Sequence, residues 1–568
     1  MSQKPPNTGK DVLFRRMLMA VVSSIIVQCL LMSLVVLLTH LSPTRPLSWL
    51  EESLSLVTSL STWCYFLILS AVIVLQGVVC SKSYLTSPPL LDTRFAVLCS
   101  VFTPHNLTVV SLHLTIGAIL VWLHLSFEGS LSLSKKCETL AGNCLREDYV
   151  YLLLSGVFTG AHHFLRSSFF ETRHLEFPVI PQGKFTQVRR EMSRLIPRVM
   201  TTAVWPVMYF LGLYYSFGGC VRGVVAPVLF LSVEDEPLDR VSRLVDVQLM
   251  FRVWLYSGFF SLTMESMHLL FQVHLTEWME FDVGQRVYEE RASMSLGEAL
   301  ALEEVPIMQQ LGFLDLVTLA QKQKSRRGII FSLSQPGGHP YNWNCIVDRC
   351  LGVARGFAKR VEEVCAAKQE VVVPLKPVAA TLERPYAFHM RNLARVESPE
   401  RARGSCPQPL PSTGQLILEF VKSRRQRIVD YVMSKPLVFY FFGVRSDSKI
   451  RHLLVTGQSV IWAVEAISSL AVISLREDSY GIVQKDLPGM IEALLGLKQA
   501  LDKLHKMSLL SRKPQQDDRE IRYLLGALRS ADKRGIYRIV VAFREYFEDL
   551  ALDQGVRDQL QGFFSFRE

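Results

Sequence analysis

The stretch MLMAVVSSIIVQCLLMSLVVLLT, residues 17–39, decides the class of this chain, because it runs for 23 residues without a charge. An α-helix needs about 20 apolar residues to cross the hydrocarbon core of a bilayer. The run is longer than the ~7–15-residue core of a secretory signal, and no small-x-small cleavage site follows, so it reads as a signal anchor. Working outward, Leu60–Cys80 lies within a charge-free run from Ser53 to Ser81, and Leu107–Ser126 is a third span. Tyr149–Phe170 is a fourth, with Arg166 near its end. Val199–Val221 is a fifth, with Pro206 inside it, and Leu249–Leu275 is a sixth, interrupted by Arg252 and Glu265. Six spans fit, and a count of five stays open.

The rest of the chain has a different character. Of its 568 residues, 49% are hydrophobic and 20% charged. Residues 1–276 hold 38 charged side chains, against 76 in residues 277–568. The first part reads as membrane and the second as water-soluble, which argues against a wholly soluble enzyme, a wholly buried channel and a disordered chain. The net charge of +10 divides as +4 and +6. That is too little to demand nucleic acid, and it suits a surface beside anionic lipid. Eleven cysteines include no C-x-x-C pair, against a disulfide scaffold or a zinc module.

Lys and Arg in the flanks set the orientation. The N-terminus, second loop and fourth loop carry 12 of them, and the first, third and fifth loops carry 7. Both termini are therefore expected on the cytoplasmic side, and the odd loops in a lumen. Cys137 and Cys144 then fall in an oxidising loop and are candidates for a disulfide, the alternative being two thiols. The sequon Asn106-Leu107-Thr108 falls on the cytoplasmic side and is expected to stay bare.

Ionisable residues inside spans are functional candidates. Arg252 and Glu265 are 13 residues apart, about 20 Å along a helix, and cannot pair within it. Glu265 and His268 share a face. His162 and His163 point ~100° apart and are poorly placed to hold one ion, so packing is the expected role for them, as for His113 and His124. No paired, broken segments recur in matching halves, as an inverted-repeat transporter would have.

Beyond Glu277 the pattern is helical. Ser295–Gln323 is broken at Pro306, and Asn344–Lys368 carries Cys345, Cys350 and Cys365 at core spacing. Residues 371–413 contain seven prolines and read as a linker. Gly457–Leu475, Leu487–Met507, Arg519–Ser530 and Gly535–Leu550 read as packed amphipathic helices. Between linker and bundle, Lys422, Arg424, Arg425 and Arg427 follow an apolar run, and Pro436 precedes the aromatic LVFYFF at 437–442. A basic amphipathic helix with aromatics is a candidate for membrane-surface contact, against an ordinary core helix with its arginines in water. No P-loop, G-x-S-x-G, H-E-x-x-H or dinucleotide fingerprint occurs. Pro336-Gly337-Gly338 reads as a tight turn that Tyr341 and Trp343 pin to a helix.

The string FSLSQPGGHPYNW, residues 331–343, resembles the segment after the membrane region in the nuclear division cycle family of transmembrane nucleoporins, as vertebrates have it. Ile461-Trp462-Ala463-Val464-Glu465 and Tyr480-Gly481-Ile482-Val483-Gln484 are similar too, as are the six spans and the two loop cysteines. The resemblance covers nearly the whole chain. It implies a protein of the pore membrane that anchors the nuclear pore complex, supports its assembly and binds other nucleoporins, including the β-propeller protein aladin, through residues 277–568. It implies no enzymatic activity, cofactor, metal, small-molecule substrate or direct nucleic-acid partner. The linker at 371–413 is shorter than the Ser/Pro-rich insert of vertebrate members, and phenylalanine-glycine repeats are absent.

The expected architecture is thus all-α: a tail at 1–16, a six-span domain at 17–276, a cytoplasmic helical region at 277–370, the linker, and a helical domain at 414–568. The competing expectation is a polytopic endoplasmic-reticulum transporter or lipid-modifying enzyme, which needs polar residues converging within the spans.

Overall fold

The computed structural model describes residues 9–39, 46–85, 93–128, 133–136, 143–169, 175, 177, 183–230, 238, 246–284, 294–333, 338–372, 424–425, 431, 435–443, 448–509, 518–546 and 549–564. Among them the regular structure is helical, with one short antiparallel hairpin and an isolated bridge between Asp282 and Ser295.

The first part comprises α1 (Gly9–Thr39), α2 (Pro46–Thr58), α3 (Leu60–Leu85), α4 (Arg94–Val101), α5 (Pro104–Glu128), α6 (Glu147–Phe169), α7 (Lys184–Thr202), α8 (Val204–Val228) and α9 (Val247–Leu275). The hairpin strands β1 (Ser134–Lys136) and β2 (Asn143–Leu145) lie between α5 and α6. By length and composition, α1, α3, α5 and the α7–α8 pair are long and apolar enough to cross a membrane. The fifth expected span is split: its charge-free run starts in the last turns of α7, and α8 begins after Ala203. Pro206 falls in the first turn of α8, where its missing N–H has no intrahelical partner to lose.

α6 and α9 have 23 and 29 residues. At ~1.5 Å per residue they are long enough to span, but they are more polar than the others. Their packing explains why. α9 contacts α1, α3, α5, α6, α7 and α8, and most of its side chains are buried. A helix that meets protein on every side need not be as apolar as one that meets lipid.

The second part comprises α10 (Leu296–Ala301), α11 (Pro306–Lys322), α12 (Lys324–Ile330), α13 (Tyr341–Val372), α14 (Pro436–Phe442), α15 (Ser448–Val455), α16 (Gln458–Glu477), α17 (Ile482–Leu509), α18 (Asp518–Ala542) and α19 (Gln554–Phe564). Ser295 and Glu298 close a capping box at the start of α10, and Pro306 opens α11. α16 is also long and apolar enough to span, but it sits within the bundle against α11, α13, α17 and α18. Its apolarity serves burial: Val460, Ala463, Ile467 and Leu470 are all in the core. The helices expected at 519–530 and 535–550 are instead one, α18, which runs through Gly535. A side chain there would press on Val464 of α16.

α11 and α13 precede the Pro-rich stretch and α16–α18 follow it, yet they pack together. One hydrophobic core runs from Leu13 and Met17 of α1 through Phe281 and Leu311 to Leu504 and Phe563. The membrane helices and the helical region are therefore packed on each other.

Candidate functional site

Within the bundle the polar groups join helices in separate pairs. The Gln28 amide of α1 donates to Ser266 Oγ of α9 at 2.8 Å, and its oxygen accepts from Thr263 Oγ1 at 2.9 Å. Ser23 Oγ and His274 Nε2 are 3.0 Å apart. The Tyr84 hydroxyl of α3 meets the His268 ring, and Thr159 of α6 donates to Ser257 of α9 at 3.3 Å. His113 stacks on His163 with centroids 5.7 Å apart, His124 on Tyr256 at 5.2 Å, and His162 faces Tyr209 at 6.0 Å. His162 and His163 thus address different neighbours, as their angular separation requires. Among the described residues no group of three His, Cys, Asp or Glu could hold a metal ion. These contacts are helix-to-helix fasteners.

One close helix contact is made of glycine. Gly156 and Gly160 of α6 lie against Gly117 and the His113 carbonyl of α5. A methyl group on Gly156 would overlap the Gly117 carbonyl oxygen and come within 2.6 Å of Val121 Cγ2; one on Gly160 would lie 2.8 Å from the His113 carbonyl carbon. Residues 156–160 are a G-x-x-x-G motif, which lets helix backbones touch. Hydropathy and charge, on which the span assignment rests, pass over it.

At one end of the bundle Glu147 is buried in the first turn of α6. It accepts from the Tyr214 hydroxyl at 2.9 Å and the Leu238 N–H at 2.8 Å, and pairs with Arg222 at 3.3 Å. The hairpin lies beside it, with Lys135 opposite Cys144 in register. Cys137 falls outside the described residues, so the pairing of the two cysteines stays a proposal.

The other end meets the helical region. Buried Arg16 donates to the backbone oxygens of Leu275 (3.1 Å) and Glu277 (2.7 Å), a cation at the C-terminus of α9. Lys184 pairs with Glu277 at 2.8 Å, and Phe177 packs edge-on against Trp462. Asp315 is fully buried. It accepts from the Phe281 N–H at 3.1 Å and from both Arg326 amino groups at 3.0 and 2.6 Å. Arg327 grips Glu477 through two 3.0 Å bonds, and that hydrogen bonding holds the Glu477 carboxyl below its usual range. Trp343 is fully buried, packs on Phe331 and donates to Asp486 Oδ2 at 2.8 Å. Tyr341 is exposed, and Pro336 and Gly337 of the expected turn lie outside the described residues. These bonds tie residues on both sides of the Pro-rich stretch to one another.

Of the basic residues proposed for membrane contact, Arg424 and Arg425 are described and exposed; Lys422 and Arg427 lie outside the described residues. The aromatic helix α14 packs on α4, the short helix between α3 and α5. On the outer face of α18, Arg519, Arg522, Tyr523, Tyr537 and Arg538 are exposed. Arg and Tyr are enriched at protein interfaces.

Comparison with known proteins matches residues 11–561 to the family described as "Nucleoporin protein Ndc1-Nup". Nucleoporin NDC1 of Homo sapiens is 27% identical over 663 residues, covering 99% of this chain and 98% of the relative. Nucleoporin NDC1 of Xenopus laevis is 26% identical over 645 residues, covering 96% and 97%. Nucleoporin Ndc1 of Drosophila pseudoobscura pseudoobscura is 26% identical over 581 residues, covering 98% of both.

Proposed function

The chain belongs to the Ndc1-Nup nucleoporin family, structural components of the nuclear pore and not enzymes, and from that premise we propose that it is a tether between the pore membrane and the pore scaffold. Its six helical spans cross the membrane where inner and outer nuclear membranes join. The tail, the second and fourth loops and residues 277–568 face the cytosol or pore, and the odd loops face the lumen, where Cys137 and Cys144 form a disulfide. The helical region recruits soluble nucleoporins, aladin among them, and so supports pore assembly. Lys422, Arg424, Arg425 and Arg427 meet anionic headgroups, each worth only ~1 kcal/mol. The spans supply permanence and the basic flanks supply orientation.

The observation that carries this reading is the continuous core between the membrane helices and the helical region. A force on a partner bound to α16–α18 passes into α1 and α9 through packed side chains rather than through a slack linker. Cross-linking mass spectrometry on intact nuclear envelopes tests it. Lysines on the helical region, such as Lys449, Lys485 and Lys503, are expected to link to soluble nucleoporins. Links confined to endoplasmic-reticulum transporters or lipid enzymes would overturn it.

A further inference from the structure

We propose that α4 and α14 together form an aromatic wedge seated in the bilayer–water interface, so that the chain returning from the Pro-rich stretch is docked directly on lipid.

α14 reads PLVFYFF, without a charge, opened by Pro436 and ended by Gly443. Its four aromatic side chains are all exposed, from Phe439 at 62% and Tyr440 at 55% to Phe442 at 44% and Phe441 at 41%. Four consecutive aromatic side chains facing outward are out of place in water. α4, its partner, likewise buries no residue. Phe95, Leu98 and Phe102 are exposed, Phe102 at 68%. The two helices hold each other: the Phe95 and Phe442 rings are 4.5 Å apart, and the Arg94 guanidinium lies 3.8 Å over the Tyr440 ring.

The position of α4 selects lipid as the occupant. It is strung between α3, which ends at Leu85, and α5, which begins at Pro104. Only Phe102 and Thr103 separate it from the apolar helix α5. It cannot leave the membrane surface, and whatever packs on it is held there too. The composition fits that depth. Tyrosine collects at headgroup level, where its apolar body and polar hydroxyl are both satisfied, which suits Tyr440, and the phenylalanines around it supply the apolar face that enters the acyl boundary. Arg94 and Lys435 sit at the rim, Lys435 lying 4.9 Å from the Tyr431 ring. The inference rests on the polytopic reading, since it needs α3 and α5 in the bilayer.

The test uses the full-length chain in nanodiscs containing phosphatidylserine and a lipid with a diazirine near the glycerol backbone. After irradiation, lipid adducts are mapped by mass spectrometry. Adducts are expected on peptides covering 436–443 and 94–103, as well as on the ends of α1, α3 and α5. Phe439→Asp with Phe441→Asp should cut the 436–443 adducts by about tenfold or more, because burial of one such ring is worth at least that factor, while the spans keep theirs. Labelled spans with a bare 436–443 in the unaltered chain would overturn the wedge and leave the polytopic reading intact. Unlabelled α3 and α5 would overturn both. Adducts on 436–443 that persist in the double variant would also overturn the wedge, since the rings would not be what holds the segment at the lipid.

Discussion

Replacing Gly156 with alanine separates two effects of opposite sign. Helix propensity favours alanine over glycine by about 1 kcal/mol in a helix interior. Packing opposes it, because the new methyl would overlap the Gly117 carbonyl oxygen and sit 2.6 Å from Val121 Cγ2. Val121 could rotate, but the Gly117 main chain cannot, so α5 and α6 must separate. Overpacking of this kind costs ~1–3 kcal/mol. The net expectation is a loss of up to about 2 kcal/mol once propensity is subtracted. Gly212 of α8 is the control, because nothing lies within 4 Å of a Cβ built there. The assay is thermal: a fluorescent full-length fusion in mild detergent is heated and followed by size-exclusion chromatography. Gly156→Ala should melt below the unaltered chain, and Gly212→Ala at or above it. A Gly156→Ala midpoint equal to or above that of Gly212→Ala would refute the backbone contact, and with it the strongest argument that α6 is a full member of the membrane bundle.

Asp532 of α18 is 1% exposed and neither carboxylate oxygen has a hydrogen-bond partner; burial holds its carboxyl well above the usual range. A carboxyl raised in the folded state costs nothing below its unfolded pKa of ~3.9 and progressively more as pH rises toward the folded value. Asp532→Asn should therefore raise the melting midpoint at pH 7, with the gain shrinking toward pH ~4; a gain independent of pH would contradict this. Arg326→Met leaves Asp315 buried with one backbone donor, and breaking such a pair costs about 3–5 kcal/mol; hydrogen exchange should rise around Phe281 and along α11, and unchanged exchange would show the pair to be dispensable. For Cys137 and Cys144, peptide mapping under non-reducing conditions should recover the two loop segments as one linked species, whereas separate alkylated thiols would remove the disulfide.

The apolar runs of α1, α3 and α5 were legible because a charge-free stretch of 20 or more residues has few other uses. α6 and α9 were harder to read, since contact with neighbouring helices relaxes the demand for apolarity, and α9 is enclosed by six of them. The same ambiguity gives α16 the composition of a span although it is packed among α11, α13, α17 and α18. Pro306 announced a boundary correctly, because proline cannot donate within a helix. Gly535 did not mark one, because its role is to admit Val464. The long-range contacts had no local signal. Asp315 with Phe281, Arg327 with Glu477, and Phe95 with Phe442 join residues 34, 150 and about 350 positions apart, and only the folded chain brings them together. The glycine seam was visible as G-x-x-x-G to any search for small residues one turn apart.

The central claim is a tether at the pore membrane, and location tests it most directly. The measurement is super-resolution imaging of the tagged full-length chain against a marker of the pore scaffold. The account predicts discrete spots at the nuclear rim that coincide with the scaffold. A uniform signal across the endoplasmic reticulum, with no enrichment at pores, would contradict it.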